Sequence, residues 1–210
     1  MIKENVDKEK QPTFTEQLRQ LFKQPLSKIG KTLHSWGITA NTITAIGFIG
    51  TFAGSALIAA GKLTLGGLVI SFMAVFDAFD GAVARASGEI KPFGAFIDSV
   101  IDRYIETIIY AGLAWHFMAA GESLGVILSV FALSGSVLVS YTRARAEGLG
   151  LGTKVGVLTR VERMVVIGPT VILQIPVWGV AIVAVLANVT AVQRILDVRR
   201  QTLNQEGLGE

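Results

Sequence analysis

The chain has 210 residues, 51% of them hydrophobic and only 17% charged, with a mean hydropathy of +0.54. A soluble domain carries about 25% charged residues, so this composition describes a membrane protein. It has no cysteine, which excludes disulfides, thiolate chemistry and zinc–thiolate centres, and its two histidines, His34 and His116, lie too far apart to make a histidine-rich metal site. The pI of about 9.3 suggests nucleic acid at first sight, but basic residues flanking apolar spans explain it better, and no nucleic-acid partner is expected.

In chain order, residues 1–12 form a charged arm expected to be disordered. No signal peptide is expected, because the N-terminal stretch is polar for too long before anything apolar appears. Residues 13–36 mix Phe14, Leu18, Leu21, Phe22, Leu26, Ile29 and Leu33 with Arg19, Lys23, Lys28 and Lys31. That spacing predicts an amphipathic helix at the membrane surface, interrupted before Pro25, or packed on the protein's own spans.

Residues 37–198 are expected to form one helical membrane domain, followed by a polar tail over 199–210. Thr39 or Asn41 caps the first span, which runs from about Asn41 to Ala60. The second covers about 63–84 and the third about 93–119. The fourth runs from about 124 to 141, with its helix continuing through Glu147. A glycine-rich linker bearing Lys154 leads to a fifth apolar segment at about 161–175 and a sixth at about 177–196, separated at Pro176, with Pro169 inside the fifth. Each is near the roughly 17–25 residues a span requires. The fold class is therefore all-α: a polytopic protein with six transmembrane helices and an N-terminal interfacial helix.

Charge placement orients it. With both termini and the 85–92 and 143–160 loops on one side, only Lys62 of the 19 lysines and arginines falls on the other. This asymmetry predicts a cell-membrane protein with both ends cytoplasmic.

The most informative stretch is Asp77–Asp102, DAFDGAVARASGEIKPFGAFIDSVID. Asp77 and Asp80 share one face of the second helix, and Asp98 and Asp102 share one face of the third. A short connection predicts that these helices are antiparallel neighbours, with all four acids in one cleft at the cytoplasmic face. The small residues Gly81, Ala84, Gly94 and Ala95 permit close approach of a helix or ligand. Four carboxylates at membrane depth require compensation. Lys91 or Arg85 supplies part of it, and hard divalent cations supply it more fully. Interhelical ion pairing or a divalent cation transport path are the competing uses of the same acids.

The pattern Asp77-x2-Asp80-Gly81-x2-Ala84-Arg85-x8-Gly94-x3-Asp98-x3-Asp102 resembles the signature of the CDP-alcohol phosphatidyltransferases. Thr39-x-Asn41-x2-Thr44 is similar to that family's start of the first span, and the likeness extends over about residues 20–200. The resemblance implies a transferase of the substituted-phosphate type that moves a phosphatidyl group from CDP-diacylglycerol, or an ether-lipid analogue, to an alcohol and releases CMP. It implies that Asp77, Asp80, Asp98 and Asp102 hold Mg²⁺ or Mn²⁺, two per site, with Asp102 also the general base. Asp77, Gly81, Ala84, Arg85 and Gly94 would then bind the cytidine diphosphate, and the enzyme would be a homodimer.

A second basic patch, Ser140-Tyr141-Thr142-Arg143-Ala144-Arg145-Ala146-Glu147, is followed by Lys154, Arg160, Glu162 and Arg163. Positive flanking charge is the ordinary explanation for any one of these arginines. Together they resemble the branch of the family that makes phosphatidylinositol phosphate from inositol 1-phosphate. That resemblance places the acceptor's phosphate on Arg143, Arg163 and Arg194; Asn41, Lys91, Tyr141 and Lys154 are expected to support the site as a whole. Arg143 stands where that branch is expected to have lysine, so glycerol 3-phosphate, giving phosphatidylglycerophosphate, is the alternative acceptor. Glu106 continues the Asp98–Asp102 face and is expected to support either a basic residue or the dimer.

Overall fold

A computed structural model describes residues 25, 27–86, 92–153 and 155–207. The arm at 1–12, most of the expected amphipathic helix, Lys91 and Lys154 lie outside the described residues. Residues 27–35 are helical, and Gly30 lies buried against α2, defined below. A β-carbon at position 30 would fall 2.6 Å from the Ala82 carbonyl oxygen, so only glycine permits this approach.

Six helices follow: α1 (Ala40–Ala59), α2 (Leu63–Ala86), α3 (Pro92–Ala119), α4 (Ser123–Gly148), α5 (Arg160–Ile172) and α6 (Pro176–Glu206). Among the described residues α1, α2, α4 and α6 are long and apolar enough to cross a membrane. The six-span expectation is therefore met by four helices. α3 is long enough, but Asp98, Asp102, Arg103 and Glu106 break the apolar run. α5 has 13 residues. At 1.5 Å per residue it is about 20 Å long, short of a hydrocarbon core of about 30 Å. α6 instead runs well beyond the expected end of its span.

Helix boundaries follow local chemistry. Thr39, in extended conformation, caps α1, and its hydroxyl accepts the Thr42 N–H at 3.2 Å. Thr39→Ala is expected to destabilise the fold by about 1 kcal/mol, read as a lower melting temperature in detergent; an unchanged value would remove the cap from the account. At α5 the Glu162 carboxylate accepts the Thr159 backbone N–H, as in a capping box.

The helices form three hairpins, α1–α2, α3–α4 and α5–α6, closed into a ring by packing of α1 on α3, α4 on α6 and α2 on α5. The interior is apolar, built on residues such as Ile58, Ile109, Leu113, Ile167, Val171 and Val183. Many large apolar side chains point outward, among them Phe52, Phe72, Trp115, Phe131 and Trp178, as expected of a surface solvated by lipid. α2 and α3 are not the closely packed neighbours that the short connection suggested. α1 packs along both, and the acid pairs face each other across the space at one end of the ring. At the opposite end the first and third hairpins are tied by Thr64, whose hydroxyl donates to the Ile172 carbonyl and accepts from Gln174 Nε2, each at 3.1 Å.

Candidate active site

All four aspartates lie at the open end of the hairpins. Asp77 and Asp80 come from the last turns of α2, and Asp98 and Asp102 from the first turns of α3. Thr44 on α1 donates to Asp80 Oδ2 at 3.1 Å, and the Gly81 N–H donates to Asp80 Oδ1. Asp98 faces Asp80 across a shared cavity. The i,i+3 and i,i+4 spacings therefore bring both pairs together, with a hydroxyl from α1 between the two helices.

Arg160, the first residue of α5, reaches into this group. Its Nη1 lies 2.7 Å from Asp77 Oδ2 and 2.6 Å from Asp102 Oδ1. Arg103 Nη2 adds a 3.0 Å bond to Asp102 Oδ2. One guanidinium thus links the first, second and third hairpins. The sequence reading had Arg160 in a basic patch but outside the candidate site. Its spacing of three from Arg163 was the available signal, and it is indistinguishable from ordinary flanking charge until the ring closes.

Two cavities adjoin the acids. The first, of about 710 Å³, is lined by Asp80, Gly81, Ala84, Arg85, Gly94 and Asp98, with Asn41 and Thr44. Of the residues expected to bind the cytidine diphosphate, Gly81, Ala84, Arg85 and Gly94 line this cavity and Asp77 does not. A β-carbon on Gly81 would meet the Arg85 guanidinium at 3.2 Å, so Arg85 folds back over that glycine. A β-carbon on Gly94 would meet nothing within 4 Å, leaving room against the backbone for a ligand. Asp77 lies instead on the second cavity, about 470 Å³ and largely apolar, together with Arg160.

The donor set suits a divalent cation. It consists of hard carboxylate oxygens without sulfur or imidazole. Asp102 Oδ1 is buried and accepts no hydrogen bond of regular geometry despite the nearby arginine. Among the described residues no three acidic or histidine side chains converge on one point as they stand. Arg160 Nη1 lies between Asp77 and Asp102.

The expected acceptor arginines are placed differently from one another. Arg194 lies within electrostatic range of both Arg143 and Arg163. Arg143 is exposed and pairs with Glu147 at 2.8 Å. Arg194 is 5% exposed and donates to the carbonyls of Val139 and Val155. Arg163 is 1% exposed, and its Nε donates to Glu106 Oε1 at 2.9 Å. Arg163 and Arg194 are thus enclosed rather than open to a soluble phosphate. Glu106, whose use the sequence left between a basic residue and a dimer contact, supports a basic residue. Tyr141 is exposed on α4.

A ring of helices, four of them long and apolar enough to cross a membrane, that encloses carboxylates and arginines at one end beside a cavity for a polar ligand defines a membrane protein with an acid-based site. The sequence model of the CDP-alcohol phosphatidyltransferases matches residues 37–193, and the chain belongs to that family. Archaetidylinositol phosphate synthase of Pyrococcus horikoshii is 38% identical over 185 residues, 88% of this chain and 96% of the relative. Phosphatidylinositol phosphate synthase of Streptomyces avermitilis is 33% identical, covering 88% of this chain and 82% of the relative. Two crystal structures of Mycobacterium tuberculosis phosphatidylinositol phosphate synthase are similar in fold at 31% identity. The one with CDP-DAG bound has a TM-score of 0.74, covering 82% of this chain and 92% of the other. The one with manganese and citrate has a TM-score of 0.76, covering 82% and 88%.

Proposed function

We propose that the protein transfers a phosphatidyl group from CDP-diacylglycerol, or an ether-linked analogue, to inositol 1-phosphate, releasing CMP and forming phosphatidylinositol phosphate. The observation that carries this reading is the pairing of Arg160 with Asp77 and Asp102 beside a cavity lined by Gly81, Arg85 and Gly94. It sets an arginine and a group of acids at the same end of the ring as a nucleotide-sized space. The names of the similar proteins support the phosphorylated inositol acceptor, and the manganese in one of them supports a divalent metal.

Asp77, Asp80, Asp98 and Asp102 would hold Mg²⁺ or Mn²⁺, two per site. When bound, the cations offset charge on the diphosphate. The chain's own residues do the rest. Gly81 and Gly94 admit the nucleotide close to the backbone, and Arg85 pairs with its phosphates. Asp102 takes the proton of the attacking hydroxyl, which forms its bond to the lipid-side phosphorus as the bond to the CMP oxygen breaks. Arg160 meets the phosphate on the acceptor side, where a planar guanidinium binds two oxygens at once. Arg143 and Arg194 add positive potential there, with Asn41, Lys91, Tyr141 and Lys154 in support, while Arg163 spends its charge on Glu106.

All six helices lie in the cell membrane. Both termini and the site face the cytoplasm, as basic-residue placement predicts. Residues 37–198 form the transferase domain, and the enzyme works as a homodimer.

The test is CMP release by purified protein from CDP-diacylglycerol with Mg²⁺, offering inositol 1-phosphate and glycerol 3-phosphate separately. Release with inositol 1-phosphate, lost on chelation by EDTA and restored by Mg²⁺ or Mn²⁺, is the expected result. Release with glycerol 3-phosphate alone would keep the chemistry and overturn the acceptor. Failure with both acceptors, and with an ether-linked donor, would overturn the reaction.

A further inference from the structure

The mechanism leaves one buried charged pair unused. Glu106 lies on α3, one turn beyond Asp102, and is fully enclosed; Arg163 on α5 is 1% exposed. Arg163 spends two of its nitrogens, Nε and Nη2, on the single oxygen Oε1 of Glu106. Its third, Nη1, donates to the Leu158 carbonyl at 3.2 Å. The Leu158 and Val157 N–H groups in turn donate to Thr190 Oγ1 on α6. Glu106 Oε2 is buried without a partner. The pair is therefore not the two-against-two fork that maximises an isolated arginine–carboxylate interaction.

Burying such a pair is costly, and well-packed apolar residues often serve stability as well or better. What this pair does, geometrically, is connect α3 to the 157–163 segment at the point where that segment turns into α5. Arg160 lies three residues before Arg163, and Asp102 four before Glu106. The same two helix faces thus carry two consecutive rungs: Glu106–Arg163 inside, and Asp102–Arg160 at the site.

We infer that Glu106 is a positioning residue: by holding Arg163 and Leu158 it sets the first turn of α5 so that Arg160 meets the acceptor's phosphate. This rests on the transferase reading above. The charge of Glu106 is required for placement rather than for folding, because an apolar pair fills the same space but does not hold the 157–163 turn through directed bonds.

The test uses full-length protein in detergent, comparing wild type with Glu106→Gln and with the double variant Glu106→Leu/Arg163→Met. CMP release is measured against acceptor and CDP-diacylglycerol concentration, with whichever phosphorylated alcohol the wild type uses. Glu106→Gln is expected to lower kcat/KM for the acceptor by about 10²-fold, the cost of displacing a reacting group by about 1 Å, while KM for CDP-diacylglycerol stays put. The double variant is expected to recover the wild-type melting temperature but not the acceptor kcat/KM. Recovery of both together would show a merely structural pair and overturn the inference, as would an unchanged acceptor kcat/KM in Glu106→Gln. Hydrogen–deuterium exchange reads the brace without turnover. Faster exchange over 157–163 in Glu106→Gln, with α4 and the middle of α6 unchanged, is expected, and no change there would overturn it even if the wild type released no CMP. Absence of wild-type release would count against the transferase reading alone.

Discussion

Asp98→Asn is expected to reduce CMP release by on the order of 10³-fold or more while leaving the protein folded. Changes in groups that merely support metal ligands cost roughly 10–100-fold, and a direct ligand should cost more. Asparagine keeps the shape of the side chain but removes the negative charge. Asp98 lines the larger cavity and faces Asp80, so it stands where the diphosphate and a cation would be shared. The fold itself should tolerate the change: Asp98 is only partly buried, and one negative charge fewer relieves repulsion among four acids. A melting temperature at or above that of wild type, with release lost, is the expected combination. Retention of most activity at saturating Mg²⁺ would falsify the assignment of Asp98 to the metal set.

Arg160→Ala carries the second large effect. Arginines that stabilise a transferring phosphoryl group contribute about 10³–10⁵ in rate where they act fully. Arg160 is shared between neutralising the acids and meeting the acceptor, so a loss of about 10²- to 10³-fold in kcat/KM for the acceptor is expected. Arg160→Lys should recover only part of it, because an ammonium keeps the charge but cannot bridge two oxygens in one plane. Arg143→Ala provides the contrast. That side chain is exposed and already paired with Glu147, so its loss should act mainly through the acceptor KM and fade as salt is raised. Equal effects of Arg160→Ala and Arg143→Ala would mean that α5 has no special place in the site.

Much of this was legible in the chain. The two acid pairs sit where their three- and four-residue spacings put them, because that periodicity follows from helix geometry alone. The turns at Gly61 and Gly121 fall where the apolar runs break, and both glycines adopt positive φ. The neighbours of each helix were not legible. Short loops identify hairpin partners, but α1–α3, α2–α5 and α4–α6 are set by side-chain fit between distant segments. This is why α2 and α3 were expected to pack directly when α1 lies along both. The acceptor arginines failed to separate for a related reason. A positive residue beside a membrane span reads the same in sequence whether it is exposed, as Arg143 is, or enclosed against Glu106, as Arg163 is. The length of α5 was overestimated because the residues after Ile172 stay apolar while the backbone turns, with Gln174 at a φ of 62°.

The ring of three hairpins also has an order in time. Ribosomes deliver the first hairpin with Asp77 and Asp80, then the second with Asp98, Asp102 and Glu106, and only afterwards the third with Arg160 and Arg163. For as long as it takes to synthesise the 149–163 stretch, the nascent protein carries five acids whose principal counter-charges do not yet exist, a state that is costly wherever lipid surrounds them. Arrival of the third hairpin is then both the last step of insertion and the step that neutralises the interior, so a chain truncated before α5 should be recognised as unassembled and degraded.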